Sequence, residues 1–190
     1  KNGWEIGIHG GINSARDIEI LKKQKERTEK FIGNVKSIRQ HYLAFDSDIT
    51  PFIQKQAGYD YDSTFGFNII CGFRAGTSFP FRWEKNQKEG TLEIPLIIQD
   101  ASLFRKRSSM GFERKEALDF CRFLIDLVKD VGGVLTINWH TENHSQDNGI
   151  DSVLLKEILL YAKKEGGWIT SLEKCAKYWE ENLEKKIENA

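Results

Sequence analysis

At 190 residues the chain is one domain's worth of protein, long enough to bury a sizeable core. Hydrophobic residues make up 39% and charged residues 29%, the balance of an ordinary water-soluble globular protein. Lys+Arg and Asp+Glu are both 28, so the formal net charge is zero, which argues against a broad electrostatic footprint for nucleic acid or an anionic membrane. No apolar run approaches the length of a membrane span, and the N-terminal residues lack a signal-peptide layout. The chain opens on Lys1-Asn2-Gly3-Trp4 without a Met, so it reads as a piece of a longer protein whose export its start does not settle. The cysteines, Cys71, Cys121 and Cys175, are widely spaced, with no C-x-x-C pair. That pattern reads as reduced, mostly buried thiols and fits a reducing, cytoplasmic compartment.

In chain order, Trp4 to His9 alternates like a strand and stops at Gly10-Gly11. Ser14 is a candidate cap for a charge-rich helix over 15–31, ended by Gly33-Asn34. Val35 to Tyr42 reads as a second strand, 48–57 as a short helix closed by Gly58, and 59–63 as an extended segment. Residues 64–90 look irregular, rich in aromatic residues, Gly and Arg. Leu92 to Ile98 is apolar nearly throughout, as expected of a strand covered on both faces. Ala117, Phe120, Leu124, Leu127 and Val128 fall at helical spacing within 112–131, and Gly132-Gly133 breaks that helix. Val134 to Trp139 is another buried-type strand ending at His140. A helix follows over 151–164, then a short strand at Trp168-Ile169-Thr170, then a helix capped by Ser171.

Strand and helix alternate from end to end, so the class is α/β with a largely parallel sheet, in a single domain over 1–190 without internal repeats or a linker. His9, His41, Asp62 and His140 all fall just after strands, where barrels place their chemistry. About six strands are few for a closed barrel of about seven or eight, so a strand is expected to be missing, most simply at the N-terminus.

A lone histidine at a strand end is more often structural than a ligand, and that holds for His9 and His140 taken singly. His41 lies beside Arg39, which suits either a carboxylate partner or a structural ion pair. His144 sits in a polar loop and reads as solvated. Asp62 serves either to orient a histidine or to cap a turn with Ser63 and Thr64. Trp168 and Trp179 fit strand and helix packing patterns, whereas Trp83 and Trp139 are better placed for stacking on sugar faces.

Taken together, these residues resemble a known family. Glu5-Ile6-Gly7-Ile8-His9-Gly10 is similar to the histidine motif of NodB-type polysaccharide deacetylases, carbohydrate esterase family four. That motif reads His-Ser/Thr-x-x-His, and here Gly10 and Asn13 stand at the hydroxyl and second-histidine positions. Arg39-Gln40-His41-Tyr42 resembles the family's Arg-x-Pro-Tyr, with His41 in place of proline, and Leu135 to His140 resembles its closing leucine-histidine motif. The match is closer to a divergent branch linked to surface-polysaccharide biosynthesis, whose ordered motifs correspond to residues 5–10, 39–42, 61–64 and 72–77. The resemblance covers roughly residues 4–172, and the family's first, Asp-Asp motif is expected before Lys1.

The resemblance implies a distorted (β/α) barrel of the polysaccharide-deacetylase type, here lacking its first strand. It implies a metal-dependent hydrolase that removes acetyl groups from an amino sugar or an acetylated polysaccharide precursor. A divalent metal, zinc by the chemistry of the set, is expected on His9, with Asn13 or His41 replacing the second histidine. His41 is the better zinc donor of the two, because an amide oxygen binds zinc weakly. His140 is the expected general acid, Arg39 the orienting group for the absent aspartate base and Asp62 a supporting carboxylate. Arg74, Tyr42 and Trp139 are the expected substrate contacts. Two rival readings remain open: a carbohydrate-binding or scaffold barrel that has lost catalysis, and a hydrolase of another C–N bond.

Overall fold

A computed structural model describes residues 4–86, 88–105, 108–140 and 152–188. In chain order its first elements are β1 (Ile8–Gly10), α1 (Ile18–Ile32), β2 (Ser37–Gln40), α2 (Thr50–Gln56), β3 (Tyr61–Asp62), β4 (Phe81–Lys85) and β5 (Lys88–Glu93). Then come β6 (Leu96–Gln99), α3 (Asp100–Phe104), α4 (Arg114–Val131), β7 (Thr136–Asn138), α5 (Ser152–Lys164) and α6 (Leu172–Glu188). Short 3-10 turns occupy Ser14–Arg16 and His41–Leu43. The chain divides into two compact units, the first of Lys1–Phe65, Pro80–Ile94 and Thr170–Ala190, the second of Gly66–Phe79 and Pro95–Ile169.

Unit one holds a five-stranded sheet in the order β1-β2-β3-β5-β4. The first four of these run parallel, and β4 pairs antiparallel with β5. Helix α1 starts where the Asp17 carboxylate accepts the N–H groups of Glu19 and Ile20 at 2.9 and 3.1 Å. It buries Leu21 against Ile8, Val35, Ile38, Ala57 and Tyr59 and leaves most of its charged residues to solvent, while Lys25 and Glu29 pair at 2.5 Å in a partly buried position. Helix α6 starts on a carboxylate too, with the Glu173 N–H donating to Glu5 Oε2 at 2.7 Å.

Unit two pairs β6 and β7 in parallel. Every residue of β6 is buried. Over it Ala117, Cys121, Leu124, Ile125 and Val128 form one face of α4, completed by Leu154 and Ile158 from α5. A reciprocal cap between Glu113 and Glu116 opens α4, and Gly132, left-handed at φ 69°, ends it.

The α/β class and the parallel pairing agree with the sequence reading. Among the described residues, however, the strands form these two sheets and no closed ring. Several local expectations need correction. The single strand expected over Leu92 to Ile98 is interrupted at Ile94-Pro95, because proline has no N–H to give to a ladder. Its halves belong to different sheets and different units. The stretch read as irregular up to residue 90 contains β4 and the start of β5. Trp168 to Thr170 is not a strand, and Trp168 is 59% exposed. Asp17, not Ser14, caps α1. No helix among the described residues is long and apolar enough to cross a membrane.

Leu21 has no solvent exposure and joins α1 to the strands beneath it. Leu21→Ala is expected to destabilise the protein by about 2–5 kcal/mol in denaturant unfolding.

Candidate functional site

The parallel register of β1 and β2 sets His9 opposite Arg39. His9 Nδ1 lies 3.1 Å from the Arg39 carbonyl oxygen, which only accepts, so Nδ1 carries the proton and donates. The lone pair of His9 is therefore on Nε2, and Nε2 faces His41 Nδ1 at 2.9 Å. The rings meet edge to face, with centroids 5.0 Å apart. Gly10 is needed beside them: a Cβ there would strike Gln40 Oε1 and sit 2.8 Å from Ser14 Oγ. Ser14 Oγ donates to Gln40 Oε1 at 2.6 Å, and both residues are fully buried, so this glycine accommodates protein rather than ligand.

His41 opens the 3-10 turn in which Tyr42 and Leu43 take left-handed backbone angles, φ 56° and 50°. Such conformations cost about 1–3 kcal/mol each for non-glycine residues and concentrate at functional sites. Tyr42 is 68% exposed, its ring 4.1 Å from that of His41. Asn13, the other candidate for the second metal position, is an exposed residue just before the Ser14–Arg16 turn and makes no side-chain cap there. The structure thus brings His41 to His9.

Two nitrogens bound to one tetrahedral zinc at about 2.0–2.1 Å lie about 3.3 Å apart. The His9–His41 separation of 2.9 Å is close to that, and a carbonyl holding the far nitrogen is the usual support behind a metal-binding imidazole. The two imidazoles therefore fit two ligand positions of a divalent metal. Among the described residues, no group of three or more His, Cys, Asp or Glu side chains is arranged to hold an ion.

Next to this pair in unit one, Arg39 donates from Nε to the Ser63 carbonyl and from a terminal nitrogen to Ser63 Oγ, both at 2.8 Å. Burial pulls its guanidinium pKa down, and the charges of Asp62 and Glu93 push it back up. Asp62 has no exposure and accepts from the Ser63 N–H at 2.8 Å, the Thr64 hydroxyl at 2.5 Å and Gln54 Nε2 at 3.3 Å. Burial raises it to about 6 against those hydrogen bonds and the Arg39 charge. Trp83 is taken up by packing, its ring about 5 Å from those of Phe45, Phe65 and Phe81 (5.3, 5.2 and 5.1 Å).

Unit two carries His140. Its Nδ1 lies 2.7 Å from Asp100 Oδ1, and its backbone N–H donates to Oδ2 at 2.7 Å. Asp100 is wholly buried and also accepts the Ala101 N–H at 2.7 Å, while the His140 side chain is 34% exposed. A buried acceptor on Nδ1 fixes the ring and leaves Nε2 as the nitrogen for proton transfer. Trp139 packs edge-on to Phe104 at 6.3 Å and joins the unit-two core. Arg74 is half-buried and donates to the Gly66 carbonyl at 3.1 Å. His144 lies outside the described residues. The thiols are free, and burial raises Cys71 and Cys175 to about 11 and Cys121 to about 12, so none is a ready nucleophile.

Two residues here escaped the sequence reading. Asp100 follows the apolar run Leu96-Ile97-Ile98-Gln99, the same strand-end signal that marked the histidines. Glu93 is the one acid inside the apolar run Leu92 to Ile98, which was its signal.

Comparison of the chain with protein-family models, with curated proteins and with solved structures finds no match.

Both Asp100 oxygens accept backbone N–H groups, so an amide at this position must turn its NH2 toward one of them. Asp100→Asn is expected to cost about 1–3 kcal/mol in urea unfolding. It should also weaken the Nδ1–H tautomer of His140, read from the imidazole nitrogen shifts by NMR.

Proposed function

We propose that the chain is the hydrolase domain of a metal-dependent deacetylase acting on an acetylated amino sugar or polysaccharide precursor. The observation that carries this reading is the approach of His9 Nε2 to His41 Nδ1. Two imidazoles converging within 3 Å, one of them held from behind by a carbonyl, suit a divalent metal, and nitrogen donors suit zinc. When bound, such an ion lowers the pKa of a water and polarises an acyl carbonyl.

The chain's own residues take the remaining roles. His9 and His41 are the metal ligands, His9 kept in the right tautomer by the Arg39 carbonyl. His140, with Asp100 on Nδ1, has Nε2 for proton transfer, and the motif resemblance makes it the general acid. Arg39, held in place by Ser63, is the group that orients a further acid through charge-assisted hydrogen bonds. Exposed Tyr42 is the substrate contact best placed to meet a sugar. The distorted deacetylase barrel and a bacterial cytoplasmic location belong to the same proposal and rest on the motif resemblance and the cysteine pattern.

One observation favours a second reading, a barrel that binds carbohydrate without hydrolysing it. Asn13 stands where the family's motif has its second metal-binding histidine, and an amide oxygen binds zinc weakly. The two readings separate on metal binding and turnover. Equilibrium dialysis should show zinc retained by the unsubstituted protein and by His140→Ala, and lost from His9→Ala and His41→Ala. His140→Ala should lower deacetylation of acetylated chitooligosaccharides about 10²–10⁴-fold. Full zinc occupancy in His9→Ala would overturn the assignment, and zinc binding without turnover in the unsubstituted protein would favour the second reading.

A further inference from the structure

Glu93 ends β5 and has no solvent exposure, although nothing in the proposed chemistry uses it. Its register partner on the parallel neighbour is Asp62, the last residue of β3, equally buried. Two carboxylates therefore stand side by side inside unit one. The guanidinium whose charge reaches both belongs to Arg39 on β2. The other groups facing Glu93 are neutral: the Phe65 N–H and, from β4, the Trp83 indole. From α2, neutral Gln54 bonds both Asp62 and the Thr91 hydroxyl of β5. Among the described residues, the Arg39 cation thus serves both buried acids.

The two acids are not equivalent. Asp62 has three donors, Ser63 and Thr64 on Oδ1 and Gln54 on Oδ2. Glu93 accepts the Phe65 N–H on Oε1 at 3.0 Å, and its Oε2 is buried with no hydrogen-bond partner. The Trp83 indole N–H is near enough to favour the charged form, yet it makes no hydrogen bond to Oε2. An ionised carboxylate with one oxygen sealed from water and undonated is strongly disfavoured, and a proton on that oxygen removes the charge.

We propose that Asp62 and Glu93 together hold one proton at neutral pH, carried on Oε2 of Glu93, leaving the Asp62 carboxylate and the nearby Arg39 guanidinium as opposite charges in balance. Burial and the Asp62 charge push Glu93 well above the usual carboxylate range, in agreement with this geometry. Loss of the proton leaves an unbalanced negative charge inside the sheet, so the pair sets an alkaline limit on unit one. This holds whatever reaction the chain catalyses.

The sign of the pH effect follows from linkage. Glu93 gives up its proton near pH 4 in the unfolded chain and at much higher pH in the folded one. Its contribution to stability is full below the unfolded value and is lost as pH rises through the folded value. Over that interval the unfolding constant of the unsubstituted protein should rise about tenfold per pH unit relative to Glu93→Gln, a neutral isostere. A parallel pH profile in the two proteins would overturn the proposal.

Infrared spectroscopy of the unsubstituted chain at pH 7 tests it even if that variant fails to fold. A protonated-carboxyl stretch is expected that shifts when glutamate carboxyls are labelled with carbon-13 and stays when aspartates are labelled. No such band at pH 7, or one that moves only with labelled aspartate, contradicts the proposal.

Discussion

The hydrogen bond from His9 Nδ1 to the Arg39 carbonyl is the contact on which the unit-one site depends. It follows from register alone, because pairing β1 with β2 in parallel sets His9 opposite Arg39. The carbonyl can only accept, so it decides the His9 tautomer and directs the remaining lone pair toward His41. The neighbouring features support this placement. Gly10 leaves room for the buried Ser14–Gln40 hydrogen bond, and the Gln40 N–H donates to Thr64 Oγ1 at 2.9 Å. The strained turn at Tyr42 and Leu43 follows directly after His41. Shifting the register by one residue would remove the acceptor and turn the imidazole to the other face.

Unit two solves the same problem with a different acceptor. Asp100 holds His140 Nδ1 as the Arg39 carbonyl holds that of His9, and in both cases the nitrogen left over is Nε2. The group behind His140 is a buried carboxylate that also takes the residue's backbone N–H, whereas the group behind His9 is a single neutral carbonyl. The two histidines are chemically alike in sequence, and it is the atom behind each that distinguishes the roles proposed for them.

Much of this was legible in the residues and some was not. Alternating patterns bounded by glycines gave α1, α4 and the parallel class, because those elements bury one continuous face. Strand-end histidines could be picked out because β1, β2 and β7 end within two residues of them. The break at Pro95 was hidden by apolar residues on both sides, which fill a buried strand in either of two sheets. Asp100 was missed because α3 has five residues, too few to show a helical period. Glu93 was absorbed into an apolar run, since its partners lie far away in sequence, at Asp62 and Arg39. Asn13 and His41 stood as alternatives because spacing along the chain does not report distance across a sheet.

The central claim is that His9 and His41 are two ligands of one divalent metal. Anomalous diffraction at the zinc edge, from crystals grown with zinc, tests it most directly. The account predicts a single peak about 2.0–2.1 Å from both His9 Nε2 and His41 Nδ1. An absent peak, with the two nitrogens still hydrogen-bonded to one another, would contradict it.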